Sequence, residues 1–237
     1  MNGTFQFKQF SVDQTGCAMK INTDGVLLGA LAEADDPKSI LDIGTGTGVI
    51  ALMLAQRFVS AQIDAVEIDS LAAQSAGKNF QNSSFADRLN IFSNDFQSFF
   101  KEYPFKKHDL IVSNPPFHLN SLESPGTKRS LAKHTNHNFF AELIEDSASH
   151  LTNSGLMLLI LPLQAAELVK KLAGQFGLYL QKTITIHSFE NDLPHREIIS
   201  LGLNNIKLNN SHFVIYNEPK IYSDMYINAL RDFFTIF

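Results

Sequence analysis

The feature that most constrains the fold is a glycine-rich segment, Asp42-Ile43-Gly44-Thr45-Gly46-Thr47-Gly48. It follows the apolar run 39–43, which is typical of a buried strand, and it leads into a helix-period segment at 47–57. Glycines at alternate positions let the backbone turn sharply and approach another group closely. A strand, a tight turn and a helix in this order predict the first βα unit of a domain built on a parallel sheet.

Strand-like runs and helix-period segments keep alternating after this unit. We predict further strands at 62–68, 89–93, 109–113 and 156–161, and helices at 70–80, 138–151 and 164–176. Three more strand-like runs, 180–188, 197–203 and 213–216, follow without intervening helices. The pattern predicts a Rossmann-like α/β fold, in which a mostly parallel sheet ends in a C-terminal antiparallel hairpin.

The chain has the size of a single domain. It has 237 residues, of which 44% are hydrophobic, so one sizeable core is expected. We predict one domain spanning residues 1–237. Residues 37–237 form its core, and residues 1–36, with a strand at 5–10 and a helix starting at Thr23, form a short N-terminal lid.

Composition excludes several classes of protein. The single cysteine, Cys17, rules out a disulfide framework and suits the cytoplasm. The N-terminus has no signal-peptide core, and the longest apolar run, 156–163, is too short to cross a bilayer. The net charge of −5 argues against a general polyanion-binding protein, although a local basic patch can still bind nucleic acid. The sequence favours a monomer without fixing the oligomeric state.

The glycine segment also indicates a class of ligand. A dinucleotide site needs G-x-G-x-x-G, and position 49 is Val; nor is there a G-K-[ST] phosphate loop. The tighter spacing of Gly44, Gly46 and Gly48 after Asp42 suits a cofactor that carries an amino-acid tail, namely S-adenosylmethionine (SAM). The alternative is a tight turn with no ligand.

Acidic residues follow the next two predicted strands. Glu67 lies 25 residues after Asp42, close to the roughly 20-residue spacing of a ribose-binding acid. Asp69 can share this role or cap the next helix. Asp95 can accept the adenine amino group of the cofactor, with Phe96 packed beside the ring, or it too can be a helix cap.

The run 108–113 leads into Asn114-Pro115-Pro116-Phe117. Two prolines end the strand and fix a turn, so the Asn114 amide oxygen and the Pro115 carbonyl can converge as acceptors on an NH2 group. Phe117 offers a ring on which a flipped base can stack. We therefore predict methyl transfer to an amino nitrogen, with an adenine in RNA as the favoured substrate. The alternative is a purely structural Pro-Pro turn.

Basic residues flank this turn on both sides. Lys128, Arg129, Lys133 and His134 follow it, and Lys101, Lys106 and Lys107 precede it. Both groups can meet phosphates of RNA at the mouth of the site, although such runs are more often a solvated surface. The eight histidines show no metal-ligand spacing, so we predict no metal.

With these residues in view, the chain resembles the bacterial tRNA1(Val) adenine N6-methyltransferase family over nearly its whole length. The resemblance includes the blocks 5–10, 17–20, 23–30, 42–48, 113–117 and 193–196. It implies a class I SAM-dependent methyltransferase, built on a seven-stranded sheet, that modifies the adenosine 3′ of the anticodon. It also implies that Lys20, Thr23 and Asp24 border the methionine end of the cofactor, and that Pro194-His195-Arg196 lies in the C-terminal strand region.

One departure keeps alternatives open. Position 117 is Phe where a Tyr is common in that family, and Asn-Pro-Pro-Phe-His also resembles the turn of ribosomal RNA guanine N2-methyltransferases. Protein glutamine N5-methyltransferases share an Asn-Pro-Pro-Tyr turn but carry a larger helical domain ahead of the glycine segment. A SAM-sensing RNA-binding protein without turnover is the non-enzymatic alternative.

Overall fold

The computed structural model describes residues 3–17, 20–116 and 127–237, with side chains from 137 onward in the last range. The strands are β1 Thr4–Gln6, β2 Ser11–Asp13, β3 Ser39–Ile43, β4 Gln62–Glu67, β5 Leu89–Ser93, β6 His108–Ser113, β7 Leu151–Leu161, β8 Tyr179–His187, β9 Arg196–Gly202, β10 Asn209–Val214, β11 Tyr216–Glu218 and β12 Ile221–Tyr222. The α-helices are α1 Thr23–Leu31, α2 Val49–Arg57, α3 Ser70–Gln81, α4 Phe96–Glu102, α5 Thr127–His150, α6 Leu163–Ala173 and α7 Asp224–Leu230.

The central sheet has the strand order β10-β8-β9-β7-β6-β3-β4-β5. All neighbours in it pair in parallel except β9, which is antiparallel to both β7 and β8. The predicted α/β class, the mostly parallel sheet and the antiparallel β8–β9 hairpin are therefore confirmed. The order reverses between β3 and β6, and open α/β sheets bind ligands beyond the carboxyl ends of the strands at such a reversal.

The seven strands implied by the family resemblance are too few, because the residues that the structure describes form a sheet of eight strands. β10 adds to the outer edge of β8 in parallel, so the hairpin does not end the sheet. The sequence predicts a strand only at 213–216, which overlaps β10 at its two buried residues, Phe213 and Val214. The first four residues of β10 are exposed, so an edge strand here has the polar composition of a loop.

Helices cover both faces of the sheet, and each face has its own apolar cluster. Alternate residues of β3 point to opposite faces, so Ile40 packs with α1, α2 and α3 while Leu41 packs with α4, α5 and α6. Helix α4 was not predicted, and α5 begins eleven residues before the predicted start at 138. Its first turns, 127–137, are polar and lack the apolar spacing that signals a helix.

The N-terminal residues pack onto the core as a hairpin of β1 and β2. Phe7 is fully buried, stacks on Phe10 at 4.4 Å between ring centroids and forms a β-bridge with Phe234. The burial of these rings ties the hairpin to the C-terminal segment, while the lid function expected of residues 1–36 stays a prediction. Within the described ranges, no helix is long and apolar enough to cross a membrane.

Candidate active site

The carboxyl ends of four neighbouring strands meet at one edge of the sheet. Ile43, the last residue of β3, lies opposite Val66 of β4 and Ser113 of β6. The amides of Gly44 and Thr45 donate to Val66 O over 2.8 and 3.1 Å. Ser113 Oγ donates to Ile43 O over 2.7 Å. These bonds hold the glycine segment beside the ends of β4 and β6, as the predicted parallel pairing requires.

All three loop glycines have positive φ, at 72° for Gly44, 59° for Gly46 and 86° for Gly48. Residues with a Cβ rarely adopt this conformation. A Cβ on Gly48 would lie 2.4 Å from Cε1 of Phe80, whereas a Cβ on Gly44 or Gly46 would have no described atom within 4 Å. Gly48 is therefore required by packing, and the other two glycines border open space in which a ligand can approach the backbone.

The Asp42 carboxyl is fully buried beneath this loop. Thr45 Oγ1 donates to its Oδ2 over 2.6 Å, and Oδ1 has no hydrogen-bond partner within the described ranges. Burial raises the pKa of Asp42 to about 7; hydrogen bonds from the Thr45 hydroxyl and the Ala51 amide oppose this rise, and the negative charge of Glu67 adds to it. A cationic group bound nearby would stabilise the ionised form, so the loop fits a ligand with a positively charged tail.

Glu67 ends β4 and faces the same loop. Its Oε2 accepts a hydrogen bond from Gly46 N and its Oε1 accepts one from Asp69 N, both over 2.8 Å. Each carboxylate oxygen has a second lone pair, so Glu67 can also accept hydroxyl groups of a ligand. The ribose-binding role expected from the sequence stays a prediction.

The two aspartates that follow are both helix caps. Asp69 Oδ1 accepts from the amides of Leu71 and Ala72 at the start of α3. Asp95 Oδ1 accepts from Ser98 N over 2.7 Å at the start of α4, and this backbone hydrogen bond lowers the pKa of Asp95. These are the capping roles that the sequence analysis held as alternatives. The caps leave both residues at the carboxyl edge of the sheet.

Phe96 lies in the apolar cluster on the α5 side of the sheet. It is 7% exposed and makes an edge contact with Phe139 at 5.7 Å between ring centroids. Most of its ring surface is therefore used for packing between α4 and α5.

Asn114, Pro115 and Pro116 continue directly from β6 at the same edge. Asn114 is half-buried, Pro115 is buried and Pro116 is exposed. The bond from Ser113 to β3 fixes the start of this turn beside Gly44. Phe117, the expected stacking ring, lies outside the described residues.

The N-terminal residues implied by the resemblance reach the same edge. Lys20 is exposed, and Thr23 begins α1, whose N-cap Asn22 accepts from Gly25 N. Asp24 Oδ2 accepts a hydrogen bond from Arg196 Nε over 2.8 Å. This ion pair joins α1 to the first residue of β9 and was not anticipated from the sequence.

A second residue that the sequence analysis missed is Asn79 of α3, which is 3% exposed. Its Oδ1 accepts from Asp13 N over 2.9 Å, and its Nδ2 donates to Asp13 O over 3.0 Å and to Thr47 O over 2.9 Å. One side chain thus connects β2 to the glycine loop. The signal was available, since Asn79 follows Ala73 and Ala76 on the apolar stripe of α3, and a buried amide needs partners.

The two basic groups flanking the turn separate in the structure. Lys128, Arg129, Lys133 and His134 belong to the first turns of α5, and their side chains lie outside the described residues. The second group precedes β6 and so lies at the amino end of that strand, away from Asn114. There Lys106 pairs with Asp64, and Lys107 donates to Ser149 O. The expectation that this second group lines the mouth of the site is therefore wrong.

Among the described residues, no group of three or more His, Cys, Asp or Glu side chains is arranged to hold a metal ion.

Comparisons with known proteins identify relatives over the whole chain. The profile of the methyltransferase small domain matches residues 19–183. A tRNA1(Val) (adenine(37)-N6)-methyltransferase of Pedobacter heparinus is 46% identical over 237 residues, covering 100% of both chains. A protein of the same name from Parabacteroides distasonis is 39% identical, covering 98% of both chains.

Solved structures agree in fold. A predicted O-methyltransferase from Agrobacterium tumefaciens has a TM-score of 0.69 at 16% identity, covering 89% of this chain and 96% of its own. A Thermus thermophilus 16S rRNA N2 methyltransferase, in complex with AdoMet and guanosine, has a TM-score of 0.55 at 19% identity, covering 85% of this chain and 50% of its own. At these identities the comparison establishes the methyltransferase fold alone.

Proposed function

The chain belongs to the tRNA1(Val) (adenine(37)-N6)-methyltransferase family, and we propose that it transfers a methyl group from SAM to the exocyclic N6 of an adenosine in tRNA. The observation that carries the proposal is the meeting of the glycine loop, Glu67 and Asn114-Pro115-Pro116 at one edge of the sheet. The site adenosine is, in our proposal, the one 3′ of the anticodon in tRNA1(Val).

The loop residues fit the cofactor. Open space beside Gly44 and Gly46, and a buried Asp42 oxygen without a partner in the described ranges, suit a cationic amino-acid tail. We assign Glu67 to the ribose hydroxyls and Asp95, with Phe96, to the adenine end. Lys20, Thr23 and Asp24 border the methionine end in this assignment.

The reacting amine is held by the chain's own acceptors. When bound, SAM supplies a methyl group activated by a sulfonium. The Asn114 amide oxygen and the Pro115 carbonyl oxygen accept hydrogen bonds from the two N–H groups of the amine, which turns the nitrogen lone pair out of ring conjugation. These fixed acceptors contribute orientation and electrostatic stabilisation. No strong base is needed before attack, because the nitrogen loses its proton only after the N–C bond has formed.

The RNA is held around this amine. Pro116 and Phe117 complete the turn, and Phe117 provides a ring for the flipped base. We assign phosphate contacts to Lys128, Arg129, Lys133 and His134 at the start of α5, where a helix reaches the carboxyl edge of the sheet. Because the substrate is tRNA, the proposal includes a cytoplasmic location, and we take a monomer as the working unit.

The test is methylation with methyl-labelled SAM and, in parallel, unmodified tRNA, ribosomal RNA and protein, followed by nucleoside and amino-acid analysis. We expect label in N6-methyladenosine from tRNA. Label in guanosine of ribosomal RNA, or in glutamine, would keep the fold and cofactor but overturn the substrate. The absence of turnover with all three would favour a SAM-sensing RNA-binding protein.

Asn114→Ala separates the mechanism from cofactor binding. The variant removes one acceptor for the amine and leaves the glycine loop intact. We expect methylation to fall by at least a hundredfold while the Kd for SAM, measured by calorimetry, changes by less than about threefold. Full activity in this variant would exclude the amine-holding role.

A further inference from the structure

A groove of about 330 Å³ lies between the N-terminal hairpin, the start of α1 and the C-terminal segment. Its walls are mainly apolar and aromatic. The residues that line it are Phe5, Gln6, Ile21, Asn22, Thr23, Val26, Tyr222, Tyr226, Phe234, Thr235 and Ile236. Its volume is at the lower end of the range for small-molecule sites, which suits one planar group.

The groove opens at the same edge of the sheet as the proposed active site. Thr23 lines it, and the next residue, Asp24, is paired with Arg196. Arg196 begins β9, where Glu197 lies opposite Leu161, the last residue of β7. The carboxyl end of β7 neighbours that of β6, from which Asn114 continues. Since β7 lies between β9 and β6, the start of β9 and the end of β6 are two strand spacings of about 4.8 Å apart along this edge.

Two of the apolar residues that line the groove are exposed to solvent. Phe5 keeps 36% of its surface accessible and Ile236 keeps 69%. Phe5 contacts Phe7 and Phe234 in tilted arrangements, so its ring is supported by the core while remaining accessible to a partner. Large exposed apolar groups around a concave site mark a binding surface.

Polar and basic groups surround these walls. Asn22, Thr23 and Thr235 bring hydrogen-bonding side chains to the groove. The exposed Lys20 precedes Ile21 of the lining, and the exposed Lys220 lies two residues before Tyr222. Apolar faces, a polar edge and nearby cations match a nucleobase with its phosphates.

We propose that this groove binds an unpaired nucleobase of the tRNA, next to but distinct from the adenine that is methylated. The inference rests on the proposed function, since methylation beside the anticodon requires a loop of unpaired nucleotides at this edge. Flipping one base out of that loop leaves its neighbours unstacked, and an aromatic groove would compensate for the lost stacking.

The test compares Phe5→Leu with Phe105→Leu. Leucine keeps apolar bulk against Phe7 and Phe234 but removes the stacking ring. Phe105 is 91% exposed just before β6, at the opposite edge of the sheet, so it is a matched control. Binding of a labelled, unmodified tRNA1(Val) transcript should weaken about tenfold in Phe5→Leu and stay unchanged in Phe105→Leu. Phe5→Trp should restore it.

A second arm identifies the base. Transcripts with one abasic nucleotide at each anticodon-loop position are bound to the wild type and to Phe5→Leu. One abasic position should weaken wild-type binding and have no further effect on the variant. If the loss of affinity caused by each abasic nucleotide simply added to the loss caused by Phe5→Leu, the inference would be overturned. Equal tRNA affinities of Phe5→Leu and Phe105→Leu would also overturn it, even if the wild type methylates tRNA. A change confined to the Kd for SAM would instead assign the groove to the cofactor.

Discussion

Arg196 Nε donates a hydrogen bond to Asp24 Oδ2 over 2.8 Å, although the two residues lie 172 positions apart in the chain. The side chains are 30% and 18% exposed, so the pair is largely shielded from solvent. It connects the first turn of α1 to the start of β9. The pair therefore holds Asp24 at the carboxyl edge of the sheet, where the family resemblance implies a contact with the cofactor.

Asp24→Asn and Arg196→Gln should each weaken SAM binding. The double variant should bind SAM with the same affinity as whichever single variant binds SAM less tightly. Each change removes the same contact, so the effects are not additive. In urea unfolding we expect a coupling free energy of about 1 kcal/mol. Additive losses in a calorimetric double-mutant cycle would show that Asp24 acts on the cofactor independently of Arg196.

Asn79→Asp should loosen the glycine loop from the N-terminal hairpin. The change replaces an N–H donor by a carboxylate oxygen that faces the carbonyls of Asp13 and Thr47. We expect a loss of about 2 to 4 kcal/mol in unfolding free energy and a raised Kd for SAM. Gln81→Glu makes the same chemical change at an exposed position of α3 and is the control. Equal behaviour of the two variants would contradict the connecting role.

Gly46→Ala should mainly impair SAM binding, whereas Gly48→Ala should mainly reduce stability. Both place a Cβ at positive φ, which costs about 1 to 2 kcal/mol. Only Gly48→Ala also collides with Phe80, so it should lose more stability, and Phe80→Leu should recover part of that loss. Gly46→Ala points its methyl into open space and should mainly abolish SAM binding. Thermal melts with and without SAM separate the two effects.

These contacts define what the sequence could and could not predict. The positions of most strands along the chain, the glycine loop and the turn after β6 can be predicted from the local sequence pattern, because each is encoded within a few consecutive residues. The pairing of Asp24 with Arg196 depends on β9 inserting between β7 and β8, which no local pattern encodes. The start of β10 was missed for a different reason, since its four exposed residues, 209–212, have the composition of a turn.

SAM binding should strengthen as pH rises towards 7. Burial raises the pKa of Asp42 to about 7, so below that pH the carboxyl is largely protonated and must lose its proton to face a cation. Binding near pH 6.5 should therefore release protons, which calorimetry in buffers of different ionisation enthalpy measures directly. Asp42→Asn should bind weakly and with no such proton release. Equal enthalpies in all buffers for the wild type would refute the coupling.

The Asp42 carboxyl should also make the free energy of unfolding depend on pH. Its folded-state pKa lies above the ordinary value of 3.8, so between about pH 4 and 7 the folded state binds more protons than the unfolded state. This contribution favours folding at low pH and is lost as pH rises through that window. Comparing wild type with Asp42→Asn by urea unfolding at several pH values isolates it.

His108 should have the opposite effect on the pH dependence of stability. Its ring is fully buried at the amino end of β6, its Nδ1 lies 2.9 Å from Ser39 Oγ, and burial lowers its pKa to about 4. Between about pH 6.5 and 4 the unfolded state therefore binds the extra proton, and stability falls as pH falls, by up to about 3 kcal/mol. His108→Asn should reduce this slope, while His137→Asn, which alters an exposed histidine, should retain it. If the slope of unfolding free energy against pH were the same in His108→Asn and the wild type, the acid sensitivity would have to arise elsewhere in the fold.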